Sequence, residues 1–311
     1  LSVSESLVFG ALISSTDPVA VSATFKRLGV APSLDAVVST ESLLNDAIAI
    51  VMLRVALVLP IDSSPNWAAA AWSGLAQFLL TTVGSVAIGI AAGAGSARST
   101  RAGALSVRWG NAALTATYFA WPYAAYCAAE AAGWSGIVAL MFCGVATTHA
   151  AYPALPTSVQ LVTKGVVDTA ARAMESYVFV VMGVHVGMSA VSFGFEAHAW
   201  RFACLACIVV VVARGVAVFV TGLCLNATTA CCTAPRFGAW KQLVLWLAGL
   251  RGSTAFALAA HTSHALRNER TGQCLILATT CVVVTTIVLG TVLVPPLLRR
   301  ADIVGLTRTT R

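Results

Sequence analysis

The chain has 311 residues, of which 58% are hydrophobic and 10% charged, and its mean hydropathy is +0.85. This composition excludes a soluble globular domain and a disordered chain, and it predicts an integral membrane protein. The formal charge of +7 comes from lysines and arginines spread over short loops. It therefore indicates membrane topology rather than a nucleic-acid partner.

Apolar segments separated by charged or Pro- and Gly-containing turns predict nine membrane spans. They lie at about 7–25, 36–59, 70–95, 109–129, 134–149, 170–192, 202–225, 240–260 and 272–298. We predict a partial transmembrane domain over residues 1–298 and the start of a cytosolic tail over 299–311. Because the chain starts at Leu1 without an initiator methionine or a signal peptide, we expect it to be part of a longer protein.

The second predicted span carries ionisable groups inside an apolar run. Glu41, Asn45 and Asp46 lie within the sequence LDAVVSTESLLNDAIAIVMLRVALVL, which is long enough to cross a bilayer. A charged side chain at the bilayer centre costs about 2.5 to 3.5 kcal/mol, so it faces a cavity or a partner and marks an ion or proton path. Ser42 and Asp46 share one face of this helix, and Glu41 and Asn45 share another.

The first predicted span contains a proline in the sequence SSTDPVAV. Pro18 lacks a backbone N–H and clashes with the preceding turn, so we expect the helix to break there. Thr16 and Asp17 then lie beside freed backbone groups, which predicts part of an ion site. The alternative is a simple proline kink in which Asp17 caps the second half of the helix.

A second break is expected in the span at 240–260, where Gly249 and Gly252 bracket Arg251. Interrupted spans in two halves of a chain are typical of the midplane site of transporters with inverted repeats. Asp17 would compensate exposed helix N-termini and Arg251 exposed C-termini, since each helix end carries about half a unit charge.

Other charged residues inside the spans need partners. Arg214 lies deep in an apolar run, and we predict that it pairs with Glu41. Glu175 has Arg172 three residues before it, so a pair at the helix end is as plausible as a role in transport. Arg54 lies near the end of its span, and we expect its side chain to reach the membrane interface.

The nine cysteines fall mostly in apolar runs and are interpreted as small buried hydrophobic residues. Cys204-x-x-Cys207 and the pair Cys231 and Cys232 lack accompanying ligands, so a metal or redox role is the less favoured alternative.

Several of these stretches, in their order along the chain, resemble the sodium/proton exchanger family, the electroneutral branch of the monovalent cation/proton antiporters. The resemblance covers STDPVAV (15–21), ESLLNDA (41–47), SGIVALMFCG (135–144), VARGVAVF (212–219), GLRGSTAFALA (249–259) and QCLILATTCVVVTTIVLG (273–290). The MFCG sequence followed by His149 is similar to organellar members, which favours an endosome- or Golgi-type membrane over the plasma membrane.

The resemblance implies an all-α polytopic membrane protein with thirteen spans in inverted repeats and two discontinuous crossing helices. This chain would hold the last nine spans. The family also implies a homodimer through earlier spans that are absent here, a transporter rather than an enzyme, and no cofactor besides the transported ions.

Residue roles follow from the same resemblance. Asp46 matches the cation- and proton-binding aspartate, with Asn45 beside it and Ser42 as a further ligand position. Thr16 and Asp17 match the broken-helix residues of the site. The other matches are Glu41 and Arg214, the structural ion pair, and Arg251 and Glu175, charged positions needed for folding or transport.

The predicted function is exchange of Na⁺ or K⁺ for H⁺ by competition of the two at Asp46. Oxygen ligands from Asp46, Ser42 and Thr16 suit hard cations. Asn45 adds no second proton, so we expect electroneutral exchange. An intramembrane aspartyl protease using Asp17 and Asp46 is disfavoured, because the Tyr-Asp and Gly-x-Gly-Asp settings of such enzymes are not found. A cation channel and a transport-inactive relative stay open as alternatives.

Overall fold

The structure is a computed structural model that describes residues 2–17, 22, 25, 27–30, 32–58, 67–105, 110–193, 197–228, 238–263 and 269–300. Every regular element in these ranges is helical, as the sequence predicted. The helices are α1 (Val3–Ser14), α2 (Pro32–Val58), α3 (Trp67–Leu105), α4 (Asn111–Ala131), α5 (Gly136–Ala150), α6 (Thr157–Phe193), α7 (Ala197–Thr228), α8 (Ala239–Ala248), α9 (Ser253–Ser263) and α10 (Glu269–Arg300). A single 3-10 turn, Tyr152–Ala154, follows α5.

Within the described ranges, four helical segments are long and apolar enough to cross a membrane, or five if a bent pair counts as one span. The segments are Ala68–Ala102, Gly136–Ala154, His198–Ala227 and Arg270–Leu298, and the bent pair is α8 with α9. Helix α2, which carries Glu41, Asp46 and Arg54, is not among these segments. The chain is a multi-pass membrane protein, and the total of nine spans stays a prediction.

The helices cluster into two compact units. The first unit comprises Phe9–Ala49 and the chain from Val178 onward, and the second comprises Ser2–Val8 and Ile50–Tyr177. Helices α1, α2 and α6 contribute residues to both units. The boundary predicted from the sequence at residue 298 separates the membrane domain from a tail. Residues 301–311 of that tail lie outside the described part of the chain.

The second unit is built on close packing of α3 against α5, with α4 packing against both. Gly89 and Gly93 on α3 face α5, and a Cβ atom added at Gly89 would lie 2.5 Å from the Ala139 carbonyl oxygen. A Cβ at Gly93 would collide with the Ala146 side chain. Small residues let helix backbones approach in a membrane, where hydrophobic exclusion from water contributes little between helices.

Arg54 on α2 belongs to this second unit and forms an ion pair with Glu130 at the end of α4. Its second nitrogen donates to the Trp134 carbonyl oxygen over 2.8 Å. Glu130 also accepts from the backbone N–H of Gly136, the first residue of α5, over 2.9 Å. That Arg54 reaches the membrane interface stays a prediction, and its pairing with Glu130 was not predicted, because α4 extends past the predicted span end at residue 129.

In the first unit, α10 packs against α7, α8 and α9. One buried cluster joins α8 to α10 through Val244, Leu245, Val294 and Leu298, and it includes Leu250 between α8 and α9. Another joins Ile13 of α1 to α7 and α10, through residues such as Ala203, Val210, Ala278 and Val282. These apolar contacts fix the ends of α1 and α8, where the polar residues of the chain converge.

We expect Gly89→Ala to destabilise the second unit, because the new methyl group meets backbone atoms of α5 that cannot rotate away. Overpacking of this kind costs about 1 to 3 kcal/mol. The matched control is Gly144→Ala on α5, where an added Cβ meets nothing within 4 Å. Thermal melting of the detergent-solubilised full-length protein should show a lower transition only for Gly89→Ala, and equal transitions would contradict this packing.

Candidate functional site

The first helix ends where the sequence predicted a break. Helix α1 ends at Ser14, and Ser15, Thr16 and Asp17 are not helical. Ser15 and Thr16 are fully or almost fully buried, and Asp17 is half-buried. Pro18, on which the prediction rested, lies outside the described residues. The segment at 15–17 therefore places backbone groups without helical partners inside the first unit.

The second break separates α8 from α9, whose axes are bent by 41°. Residues 249–252 between them are not helical. A Cβ atom added at Gly249 would collide with the Arg214 side chain, and one added at Gly252 would collide with the Asp17 side chain. Both glycines therefore leave room for a charged side chain to lie against the backbone of the break.

The two breaks meet each other directly. The backbone N–H of Asp17 donates to the Leu250 carbonyl oxygen over 2.8 Å. Nη1 of Arg251 donates to the carbonyl oxygens of Ser14 over 2.5 Å and Ser15 over 2.9 Å. The backbone N–H of Arg251 donates to Thr286 Oγ1 of α10 over 3.0 Å. Each interrupted segment thus supplies hydrogen-bond partners for the other.

The charges at the crossing lie at helix ends of opposite polarity. Arg251, only 8% exposed, binds carbonyl oxygens at the C-terminal end of α1, where the helix dipole is negative. The Asp17 carboxylate lies against Gly252, the residue that precedes α9, so it faces the positive N-terminal end of that helix. Both ion–dipole contacts are favourable in this arrangement.

Asp46 of α2 lies beside the first break. Its Oδ1 atom accepts from Ser15 Oγ over 2.6 Å and from the backbone N–H of Thr16 over 3.1 Å. Ser42 Oγ donates to the Thr16 carbonyl oxygen and lies 3.0 Å from Thr16 Oγ1. Asn45 Nδ2 donates to Thr16 Oγ1 over 3.2 Å. Three polar residues of α2 are thus gathered around Thr16.

The five residues that the sequence assigned to cation and proton binding form one cluster of oxygen-bearing groups. Asp17 and Arg251 are close enough to Asp46 to interact with it electrostatically. The members are Asp46, Asn45, Ser42, Thr16 and Asp17. Carboxylate, hydroxyl and carbonyl oxygens are the ligands that hard cations prefer. This crossing, defined by residues 14–17, 42–46 and 249–254, is called the crossing site below.

Glu41 and Arg214 form an ion pair next to the crossing site. Arg214 Nη2 lies 3.0 Å from Glu41 Oε2, and Nη1 binds the other carboxylate oxygen, so the pair is bidentate. Arg214 Nη2 also donates to the Leu245 carbonyl oxygen of α8 over 3.2 Å. The pair therefore connects α2, α7 and α8, and its fork geometry fixes their relative orientation.

Two members of the crossing site were not predicted. Ser15 Oγ lies 2.7 Å from Thr254 Oγ1, and Thr254 is the second residue of α9. Ser15 could have been predicted from the sequence, because it directly precedes Thr16 in the sequence STDPVAV. Nothing in the sequence pairs Thr254 with it, because that contact depends on the crossing of two segments 239 residues apart.

Glu175 lies on α6 in the second unit and is half-buried, so its role stays a prediction. Among the described residues, no group of three or more histidine, cysteine or acidic side chains could hold a metal ion. The described cysteines, Cys204 and Cys207 included, are free thiols. Cys231 and Cys232 lie outside the described part of the chain.

The fold formed by these helices and breaks is similar to that of a solved membrane antiporter. The chain is similar to the solved structure of the sodium proton antiporter MjNhaP1 from Methanocaldococcus jannaschii, with a TM-score of 0.70 and 17% sequence identity. The likeness covers 96% of this chain and 70% of that one.

Sequence comparison gives the family. The profile of the family described as "Sodium/hydrogen exchanger, transmembrane" matches residues 1–300, so the chain belongs to the sodium/hydrogen exchanger family. It is 32% identical over 288 residues to sodium/hydrogen exchanger 5 of Arabidopsis thaliana, which covers 92% of this chain and 53% of that protein. It is 33% identical over 264 residues to sodium/hydrogen exchanger 9 of Rattus norvegicus, covering 81% and 38%. The chain thus spans about half, or less, of these relatives.

We expect Gly252→Ala to disrupt the crossing site, because its methyl group would occupy the space of the Asp17 carboxylate. The melting temperature of the detergent-solubilised full-length protein should therefore fall. The control is Gly238→Ala, directly before α8, where an added Cβ meets nothing within 4 Å. A wild-type melting temperature in Gly252→Ala would show that Asp17 need not lie against the second break.

We expect Glu41→Gln to lower the melting temperature more than the double change Glu41→Gln with Arg214→Gln. The single change leaves a largely buried guanidinium without its counter-charge, whereas the double change removes both charges. Because the Glu41 side chain is 33% exposed, the difference should be about 1 to 3 kcal/mol at most. A double variant as unstable as the two single variants combined would exclude this pairing.

Proposed function

We propose that this chain forms the ion-exchanging part of a secondary transporter that moves Na⁺ or K⁺ in one direction and H⁺ in the other. The observation that carries the proposal is the position of Asp46, whose carboxylate lies against the crossing of two interrupted segments. Because a charge within a membrane domain requires a partner, a carboxylate at this place is suited to bind either a cation or a proton.

Competition at Asp46 is the proposed coupling mechanism. The ionised carboxylate attracts a cation, and the protonated carboxyl group does not, so one group holds either a cation or a proton. Ser42, Thr16 and the carbonyl oxygens of the first break offer further oxygens at the same place. Loss of hydration by the cation is compensated by these oxygens, as hard cations require.

One-for-one exchange follows from the charges of the crossing site. Asn45 beside Asp46 is a neutral amide that donates to Thr16 Oγ1, so it can take up no proton. The Asp17 side chain lies against Gly252, directly before α9, so its carboxylate is committed to that helix end. Asp46 is then the single exchangeable charge of the site, and each cycle carries one cation against one proton.

The remaining assigned residues support this site. Glu41 with Arg214 holds α2 against α7 and α8, and Arg251 compensates the C-terminal end of α1. Glu175 is proposed as an acid linked to transport. The matched relatives are exchangers numbered 5, 8 and 9, which favours the organellar type and an organellar membrane. A homodimer and K⁺ as the cation stay predictions.

The test is Asp46→Asn in the full-length protein, reconstituted in sealed vesicles that contain a pH-sensitive dye. Because asparagine carries neither charge nor exchangeable proton, addition of Na⁺ or K⁺ outside should no longer change the internal pH. Asp35→Asn is the matched control, since Asp35 lies in the first turn of the same helix.

Two results would overturn the proposal. Cation-driven proton movement that survives in Asp46→Asn would remove Asp46 from the mechanism. Wild-type cation flux that continues without proton countermovement would instead identify a channel.

A further inference from the structure

We propose that a cavity beside the second break is a binding site for one or two water molecules, which complete the hydrogen bonding of the break. The cavity lies between α7, α8 and α10. Its lining includes Val211 and Arg214 of α7, Leu247 of α8, Gly249 of the break and Thr286 of α10. The described lining contains none of the residues assigned to cation and proton binding, so the water site does not depend on the proposed function.

The size of the cavity suits water. The space available to the centres of water molecules is about 30 Å³. One buried water molecule needs about 10 to 15 Å³ of such space, so the cavity holds one or two. A cavity that binds benzene measures about 150 Å³, so an aromatic ligand is too large for this site.

Arg214 contributes a hydrogen-bond donor to the cavity. Its Nη1 and Nη2 atoms bind the Glu41 carboxylate, and Nη2 also donates to the Leu245 carbonyl oxygen. The Nε atom is buried and has no hydrogen-bond partner in the described part of the chain. It lies against Gly249, where an added Cβ atom would collide with it. Because the guanidinium group keeps its protons in proteins, this N–H group always needs an acceptor.

The break contributes a carbonyl acceptor. In a continuous helix, the Leu247 carbonyl oxygen would accept from the N–H of Arg251, four residues further on. Here that N–H donates to Thr286 Oγ1 over 3.0 Å instead. The N–H of Leu250 turns back to the Ala248 carbonyl oxygen over 2.8 Å. Leu247, which lines the cavity, therefore lacks the helical partner of its carbonyl oxygen.

Thr286 contributes a second acceptor. Its Oγ1 atom accepts from the N–H of Arg251 and donates to the Val283 carbonyl oxygen over 3.1 Å. A hydroxyl oxygen has two acceptor lone pairs, so one of them is left for another donor. A water molecule in the cavity can accept from Arg214 Nε and donate to the Leu247 carbonyl oxygen and to Thr286 Oγ1. Three hydrogen bonds are typical of a buried water molecule.

A lipid chain is the other occupant to consider, and it fits this lining less well. Hydrocarbon would leave the Arg214 N–H and the Leu247 carbonyl oxygen unpaired, and such groups are costly inside a membrane domain. Water instead links α7, α8 and α10 through groups that the break has left without helical partners. The break is then stabilised from this cavity as well as from the crossing site.

The direct test is an electron cryo-microscopy map of the full-length protein in lipid nanodiscs, at a resolution that shows ordered water molecules. We expect a compact density in the cavity, about 2.7 to 3.2 Å from Arg214 Nε. An elongated density that continues into the lipid would overturn the proposal. So would a cavity without density in a map that shows buried water molecules elsewhere in the protein.

A cavity-filling variant tests the same site by its effect on stability. Val211→Ile adds one methyl group to a half-buried residue of the lining. Filling a dry cavity raises stability, whereas displacing a bound water molecule with an apolar group leaves its partners unpaired. We therefore expect the melting temperature of the detergent-solubilised full-length protein to fall by about 2 to 4 °C. Val212→Ile, at a residue that is 57% exposed on the same helix, is the matched control and should melt as wild type.

An unchanged or higher melting temperature in Val211→Ile would overturn the proposal. Because overpacking also lowers the melting temperature, the change is repeated in a background with Glu41→Gln and Arg214→Met. Methionine has no donor, so displacing water costs less there, and the fall caused by Val211→Ile should shrink. An equal fall in both backgrounds would indicate overpacking and overturn the proposal, and the microscopy decides if the background variant does not fold.

Discussion

The structure of the first unit depends on the mutual satisfaction of two interrupted segments. A helix that stops inside a membrane domain leaves carbonyl and N–H groups that lipid cannot satisfy. Here the N–H of Asp17 binds the Leu250 carbonyl oxygen, and the Arg251 side chain binds the last carbonyl oxygens of α1. Each of these hydrogen bonds joins a backbone group of one break to a group of the other segment. The contacts that satisfy the two breaks therefore also bring the polar residues of the crossing site together.

This dependence explains why small residues and buried charges occur together at the crossing site. Gly249 and Gly252 leave space that the side chains of Arg214 and Asp17 fill, so the charges lie against backbone rather than hydrocarbon. Arg214 is neutralised by Glu41 on α2, the helix that also carries Asp46. Fixing Glu41 against α7 and α8 consequently limits where Asp46, little more than one helical turn away, can lie.

Much of this arrangement could be predicted from the sequence. The free-energy cost of a charge or of an unpaired backbone group in a membrane depends on the residues of the same span, which the sequence shows. A proline or paired glycines predicted the breaks, and a single deep arginine predicted a partner for Glu41. Contacts that depend on the crossing itself could not be predicted. Ser15 with Thr254 has no periodicity to indicate it. The ion pair between Arg54 and Glu130 was not predicted, because the predicted span at 109–129 ended one residue before Glu130.

The hydrogen-bond donors at the crossing divide into two sets, according to whether they bind Thr16 or Asp46. Ser42 donates to the Thr16 carbonyl oxygen, and Asn45 donates to Thr16 Oγ1, so both hold the first break against α2 without adding charge. Ser15 and the N–H of Thr16 instead donate to Oδ1 of Asp46. Oδ1 of Asp46 is therefore already hydrogen-bonded to two groups of the first break. Under the proposed function, a cation at Asp46 would compete with these two hydrogen bonds as well as with a proton.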